Sequence, residues 1–159
     1  MGLIRPAQEH LASAIIRRTL SWLIEYAARP LTNAPVMVAT TPTGQNHELG
    51  AMMAAAAAAS HGWRVIYLGT SLPALEIATA AVQTRATAVA LSLVHPADDP
   101  AIPNELRDLR SALPRATEIL AGGAAIPAYA AALDEVGARR FTDIGDFRLW
   151  AREAARSAR

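Results

Sequence analysis

The chain has 159 residues, about the length of one domain, and its 52% hydrophobic and 18% charged residues are typical of a globular protein with a buried core. A formal net charge of +1 gives no strong attraction to nucleic acid or anionic membranes, and the absence of cysteine excludes disulfides and thiolate metal sites. The N-terminal residues MGLIRPAQEH lack the apolar core of a signal peptide, and no run approaches the roughly 18 apolar residues of a membrane span. These features predict a cytoplasmic protein.

The first predicted element is a long helix over about residues 6–28. Pro6 suits a first helical turn, and Pro30 marks the end. Apolar side chains recur along this helix at helical spacing, at Leu11, Ile15, Trp22, Leu23 and Tyr26. Because no strand precedes the helix, it is not an ordinary crossover, and we expect it to lie against the domain, a partner chain or a missing segment.

Beyond this helix, short apolar runs alternate with stretches that are long enough for helices. Strands are predicted at residues 35–40, 63–68, 87–93 and 117–121, with a weaker fifth at 139–143. Helices are predicted at residues 48–60, 74–84, 104–113 and 126–136, followed by a final helix from about Asp146. Strands separated by helices pair in parallel through right-handed crossovers. The sequence therefore predicts an α/β, flavodoxin-like (Rossmann-like) doubly wound fold with a five-stranded parallel sheet in the order 2-1-3-4-5.

Three stretches follow or end strands of this sheet and therefore share its carboxyl edge. Gly44-Gln45-Asn46-His47-Glu48-Leu49-Gly50 follows the first strand, Ser92-Leu93-Val94 ends the third, and Gly122-Gly123 follows the fourth. Ligands of doubly wound sheets bind at this edge, at the switch point between the first and third strands. Each stretch alone is typical of a turn, but the three together predict a ligand site.

In this order the three stretches resemble the signature of cobalamin-binding domains. That signature has an acidic residue two positions before a histidine and a glycine three positions after it, then a serine with a nearby leucine-like residue, then a glycine pair. Residues 34–159 carry the resemblance, with Gln45 in the place of the acid. The resemblance implies that His47 is the lower axial ligand of the cobalamin cobalt and displaces the cofactor's own dimethylbenzimidazole base. It also implies that the displaced tail enters a slot lined by Gly44, Gly50, Ser92, Val94, Gly122 and Gly123, with Ser92 placed to hydrogen-bond the tail.

This interpretation explains why His47 has no companion ligands. A zinc site needs three or four protein ligands, whereas a corrin ring already supplies four nitrogens to its cobalt and leaves one axial position for the protein. A carboxylate at position 45 would accept the second ring N–H of the histidine. We expect Gln45 to accept it through the amide oxygen, without adding charge.

The segment Ala7-Gln8-Glu9-His10-Leu11-Ala12-Ser13 resembles the end of the helical cap in MerR-type, CarH-like repressors, which respond to light and depend on adenosylcobalamin. The resemblance implies that Glu9 and His10 line the upper face of the cofactor. It divides the chain into residues 1–30, an incomplete terminal helix of a cap, and residues 34–159, the cobalamin-binding domain. The tryptophan of the cap would fall before residue 1, so we expect the chain to correspond to the cofactor half of such a sensor.

The resemblance favours a sensor or regulatory domain that is not an enzyme. Under this hypothesis adenosylcobalamin binds between the cap and His47. Light then breaks the cobalt–carbon bond, and the cap or an oligomer rearranges. The alternatives are a corrinoid carrier that holds methylcobalamin for a methyltransferase system, and a degenerate domain that binds no cofactor. Expected partners are cobalamin and either a second copy or a separate regulator, because the sequence contains no DNA-binding motif.

His95 and the aspartates after it raise one competing possibility. His95 shares the predicted edge with His47 and could join it and Asp98 or Asp99 in a metal site. A His-Pro pair followed by Ala-Asp-Asp-Pro is more typical of a surface loop, which is our expectation.

Three further residues have structural interpretations. His61, just before Gly62, is expected to end a helix, where a partial positive charge suits the helix dipole. Met52 and Met53 are expected to pack in the core.

Overall fold

The fold is built around one parallel sheet with helices on both faces. The computed structural model describes residues 5–27 and 33–158. The strands are β1 (Val36–Thr40), β2 (Arg64–Tyr67), β3 (Ala88–Ser92), β4 (Glu118–Gly122) and β5 (Arg139–Phe141). They are all parallel and lie in the order β2-β1-β3-β4-β5. The predicted fold class and strand order are both confirmed.

The described residues form six helices: α1 (Pro6–Ala27), α2 (Leu49–Ser60), α3 (Ala74–Thr84), α4 (Ile102–Ala112), α5 (Ala130–Glu135) and α6 (Ile144–Ser157). The main difference from prediction is α5, which was expected from residue 126. Residues 126–129 instead form tight turns, in which the Tyr129 amide donates to the Ile126 carbonyl at 3.2 Å. In the described part of the chain, no helix has the length and apolarity needed to cross a membrane.

Alternate side chains of the buried strands pack on opposite faces of the sheet. In β1, Val36 and Val38 pack with α3, α4 and α5, whereas Met37 and Ala39 pack with α2 and α6. The central strands β1 and β3 are buried along their whole length, as their nearly continuous apolar sequences predict. This two-sided burial fixes the carboxyl ends of β1 and β3 next to each other, where the candidate site lies.

Helix α1 packs against α2 through one face only. Ile24 on that face is half-buried against the core that α2 shares with α6. The apolar stripe predicted from sequence does form, but it points away from α2, since Leu11 is 63% exposed, Trp22 57% and Tyr26 69%. The division between residues 1–30 and 34–159 stays a prediction, and residues 1–4 and 28–32 lie outside the described part of the chain.

Candidate functional site at the carboxyl edge of the sheet

The loop between β1 and α2 presents His47 to solvent from a tightly bonded turn. The Gln45 amide donates to the Pro42 carbonyl at 3.0 Å, and the Thr41 hydroxyl donates to the Gln45 carbonyl. The Gly44 amide donates to the Ser71 hydroxyl at 3.0 Å, so Gly44 belongs to the turn that precedes His47. The His47 side chain itself is exposed. The fold therefore holds the backbone near His47 in place and leaves the imidazole free to meet a ligand.

The Gln45 side chain joins this loop to the loop that follows β3. Gln45 is 1% exposed, and its amide oxygen accepts hydrogen bonds from the Val94 amide at 2.8 Å and the His95 amide at 3.0 Å. Its amide nitrogen donates to the Pro96 carbonyl at 2.7 Å. The expectation that this oxygen serves the His47 ring is therefore wrong for this structure, because the backbone of the neighbouring loop already takes both of its acceptor positions.

His95 lies beside His47 on the same edge. The two ring centroids are 5.9 Å apart and the ring planes are nearly perpendicular, at 78°. Within residues 5–27 and 33–158, no group of three or more His, Cys, Asp or Glu side chains could hold a metal ion. Asp99 is engaged elsewhere, since its carboxylate accepts from the Ala101 amide at 2.9 Å. This arrangement argues against a conventional metal site built from the two histidines and an aspartate.

A cavity of about 180 Å³ opens beside this loop, between α2, α6 and the ends of β3, β4 and β5. Its lining includes four of the predicted slot residues, namely Gly50, Ser92, Gly122 and Gly123. Met53 also lines it and is 45% exposed, so the expectation that Met53 packs in the core is wrong, whereas Met52 is buried. Gly44 and Val94 are not among the lining residues. Gly44 lies in the turn ahead of His47, and the Val94 amide instead donates to the Gln45 side chain.

Small residues are required at two positions of this cavity. A Cβ on Gly50 would collide with the Ser92 hydroxyl, and a Cβ on Gly123 would collide with the Leu93 carbonyl. Gly123 also has a φ of +114°, which side-chain-bearing residues rarely adopt. The Ser92 hydroxyl is buried and has no hydrogen-bond partner among the described residues. A buried hydroxyl of this kind is costly unless a ligand or water satisfies it.

Glu48, which follows His47, connects the loop to the rest of the fold, and sequence reasoning assigned it no role. Its carboxylate forms an ion pair with Arg17 of α1 and accepts a 2.7 Å hydrogen bond from the Tyr67 hydroxyl. Burial raises the pKa of Tyr67, and the hydrogen bond to Glu48 and its negative charge raise it further, so Tyr67 stays protonated as a donor. These partners lie 31 and 19 positions from Glu48, so no local motif could have revealed them.

Glu9 and His10 are exposed in the first turns of α1. Glu9, Ser13 and Arg17 are spaced four residues apart, which places Glu9 on the side of the helix from which Arg17 reaches Glu48. Among the described residues, no hydrogen bond or ion pair joins either side chain to the His47 loop. Their assignment to a cofactor surface stays a prediction.

The fold and this edge together define a class of protein. A doubly wound sheet with an exposed imidazole in the loop after β1 and a glycine-lined cavity at the carboxyl ends of β3 and β4 has the features of a ligand-binding α/β domain. Residues 35–143 match the family model of the B12 binding domain. The chain belongs to this family, which confirms the resemblance read from the sequence.

Two relatives of this chain are named as transcriptional repressors. The chain is 34% identical over 134 residues to the HTH-type transcriptional repressor CarA of Myxococcus xanthus, a match that covers 84% of this chain and 46% of CarA. It is 32% identical over 140 residues to the HTH-type transcriptional repressor CarH of the same organism, covering 88% of this chain and 46% of CarH. The chain therefore spans less than half the length of either relative.

Two solved structures have the same fold. A cobalamin-binding protein from Desulfitobacterium hafniense DCB-2 superposes with a TM-score of 0.60 and 22% identity, over 77% of this chain and 58% of that one. The monomethylamine corrinoid protein of Methanosarcina barkeri superposes with a TM-score of 0.69 and 15% identity, over 95% of this chain and 72% of that one. At these identities the likeness bears on the fold alone.

The residues at the edge of the sheet fit a corrinoid with a displaced tail. The cavity has a mainly apolar lining, which suits a flat aromatic base, and Ser92 brings to it a buried hydroxyl that lacks a partner. The missing Cβ of Gly50 leaves space next to that hydroxyl. His47 provides a single exposed imidazole, and one protein nitrogen is all that a corrin-bound cobalt needs.

Proposed function

We propose that this chain is a cobalamin-binding regulatory domain in which His47 is the lower axial ligand of cobalt and adenosylcobalamin is the preferred form of the cofactor. The observation that carries this proposal is the Ser92 hydroxyl, which is buried in the cavity without a hydrogen-bond partner among the described residues, at the same edge of the sheet as the exposed His47 imidazole. Similarity to two proteins named as HTH-type transcriptional repressors supports a regulatory rather than an enzymatic role.

Each residue of the site has a distinct task in this proposal. His47 supplies the axial nitrogen, and the turn that contains Gly44 and Gln45 holds its backbone. Ser92 donates to the tail, while Gly50, Gly122 and Gly123 leave room for it beside β3 and β4. When bound, adenosylcobalamin supplies a cobalt–carbon bond that light can break.

Helix α1 is the element whose packing would change when the upper ligand of cobalt is lost. It is joined to the His47 loop through Arg17 and Glu48, and it carries Glu9 and His10 on the side expected to face the upper ligand. A switch requires contacts that differ between its two states. Loss of the upper ligand would change the contacts of Glu9 and His10 and thereby alter how α1, or an oligomer built on it, packs.

The test compares cofactor binding by the wild-type chain and His47→Ala in the dark. Wild type should bind adenosylcobalamin and give the absorption spectrum of base-off, histidine-ligated cobalamin, and His47→Ala should lose that spectrum. His61→Ala is the matched control, because His61 lies at the far end of α2. An unchanged spectrum in His47→Ala would contradict the axial assignment.

Illumination distinguishes the proposed sensor from its alternatives. The mass of the chain in solution should change after light exposure with adenosylcobalamin but not with methylcobalamin. Binding of both forms with no light response, together with methyl transfer to a partner, would instead indicate a corrinoid carrier. Absence of binding to either form would indicate a degenerate domain.

A further inference from the structure

The imidazole of His47 needs an outer hydrogen-bond partner if it binds a metal. A metal-bound histidine almost always donates its other ring N–H to a carboxylate, carbonyl or water, and this bond fixes the tautomer and the ring orientation. The neighbouring Glu48 carboxylate binds Arg17 and Tyr67. Gln45 stands where the signature has its acid, but its amide oxygen accepts from the Val94 and His95 amides at 2.8 and 3.0 Å. Both acceptor positions of that oxygen are therefore taken.

The same bonds hold His95 next to His47. The Gln45 oxygen fixes the His95 amide, and the following Pro96 carbonyl accepts from the Gln45 amide nitrogen at 2.7 Å and from the Tyr129 hydroxyl at 3.2 Å. The backbone that carries His95 is thus anchored on both sides, whereas the His95 side chain is exposed and can rotate.

The geometry of the two rings suits a hydrogen bond between their edges. Their centroids are 5.9 Å apart at an interplanar angle of 78°. Two imidazoles joined by an N–H···N bond have centroids roughly 5 Å apart, given ordinary donor–acceptor distances. The centroids therefore lie about 1 Å beyond hydrogen-bond contact, a gap that rotation of the two exposed side chains would have to close.

We infer that His95 is the outer partner of His47, accepting through a neutral ring nitrogen the N–H that His47 does not use for the metal. This inference rests on the proposed axial role of His47. His95 is then a positioning residue: it fixes the tautomer and direction of the axial imidazole without touching the cofactor's cobalt. Gln45 contributes by placing the His95 backbone.

The test measures affinity for hydroxocobalamin by spectral titration in three variants. His95→Phe keeps a flat ring but has no acceptor, and it should weaken binding about 10- to 100-fold, as is usual when an outer partner of a metal ligand is lost. His95→Gln keeps an acceptor oxygen at similar reach and should restore most of the affinity. Asn46→Ala, an exposed change in the same loop, should bind like wild type.

The outcomes separate this inference from the proposed function. Wild-type affinity in His95→Phe would overturn the inference and leave the axial role of His47 intact. Equal losses in His95→Phe and His95→Gln, or in Asn46→Ala, would also overturn it, because the effect would then come from general disturbance of the loop. Absence of a histidine-ligated spectrum in the wild-type chain would overturn the proposed function and this inference with it.

Discussion

Gln45 holds two loops together because its amide both accepts and donates. The oxygen receives two backbone N–H groups, and the nitrogen gives one hydrogen bond to a backbone carbonyl. A carboxylate could accept the first two bonds, but it would face the Pro96 carbonyl oxygen with no hydrogen to donate. The amide is therefore suited to this buried position in a way that an acidic side chain is not.

The first prediction is that Gln45→Glu destabilises the protein although it installs the acid of the cobalamin-binding signature. The free energy of unfolding should fall by about 1–3 kcal/mol, because a buried bond is lost and a carboxylate oxygen then faces the Pro96 carbonyl, which keeps only the Tyr129 hydroxyl as a donor. Urea unfolding measures the change, with Gln83→Glu on the exposed surface of α3 as the matched control. Equal stability of Gln45→Glu and wild type would show that the bond from the Gln45 amide nitrogen to the Pro96 carbonyl does not stabilise the fold.

The second prediction concerns the Ser92 hydroxyl. Since this group is buried and has no hydrogen-bond partner in the described part of the chain, Ser92→Ala should leave the free energy of unfolding of the cofactor-free protein unchanged or raise it. The affinity for cobalamin should fall about 2- to 10-fold, the effect of losing one ordinary hydrogen bond to the ligand. Thermal unfolding and spectral titration measure the two effects, with Ser60→Ala as the control. A loss of stability without a loss of affinity would assign Ser92 to the fold alone.

The site residues differ in how far the sequence could reveal them. The positions of His47, Ser92 and the glycine pair follow from strand ends, which are visible as apolar runs that stop at polar or glycine residues. The contacts of Gln45 are not visible, because its partners are backbone atoms about 50 positions away. Every residue except proline has a backbone N–H, so the sequence does not show which of them a buried side chain will bind.

At the scale of elements, one carboxylate adds an ion pair to the packing of α1 against α2. Glu48 lies just ahead of α2, where a negative charge suits the helix dipole, and it binds Arg17 and Tyr67 at the same time. The Arg17 side chain is 53% exposed, so its ion pair alone contributes little. The 2.7 Å hydrogen bond from the partly buried Tyr67 joins Glu48 to β2 and holds the carboxylate where Arg17 can reach it.

The third prediction is that Glu48→Ala loosens α1 while the sheet stays folded. Hydrogen exchange of the α1 amides should speed up about 2- to 5-fold, which corresponds to roughly 0.4–1 kcal/mol of lost docking energy, the range of an exposed ion pair. Exchange mass spectrometry measures this, and Glu25→Ala, an exposed change on α1 itself, is the control. Unaltered exchange in α1 would show that apolar packing against α2 holds the helix without this link.

The sequence predicts which segments are helices and which are strands. It predicts less well where each element begins and which surface it packs against. Alternation of apolar runs with helical stretches determines a doubly wound sheet, since parallel strands need crossovers. The start of α5 was predicted too early because the residue types at positions 126–129 are found both in tight turns and in the first turn of a helix. The stripe on α1 predicted a helix face, but a sequence pattern does not say which surface meets that face, and here the stripe points away from α2.

At the scale of the whole molecule, the net charge is only +1, but the positive side chains are unevenly distributed. Arg148, Arg152 and Arg156 follow one another at single-turn spacing on α6, close to His61 at the end of α2. The sequence interpretation was that a partial positive charge on His61 suits the helix dipole. Burial lowers the pKa of His61, and the three arginines lower it further, so the neutral form is favoured in the folded protein.

The fourth prediction follows from the sign of that shift. The pKa of His61 is lower in the folded protein than its ordinary value of 6.5, so the unfolded chain takes up a proton first as the pH falls. The contribution of His61 to stability is therefore present above about pH 6.5 and is lost progressively below it. His61→Gln, which cannot be protonated, should show a smaller loss of stability between pH 7.5 and pH 5.

Urea unfolding at the two pH values measures this difference, and a second variant separates its causes. Burial is the largest cause of the shift, so Arg152→Gln should reduce the acid sensitivity by only part of the effect of His61→Gln. If His61→Gln lost as much stability on acidification as wild type, other groups would govern the acid response. If Arg152→Gln matched His61→Gln in full, the arginine charges rather than burial would be the main reason that His61 stays neutral.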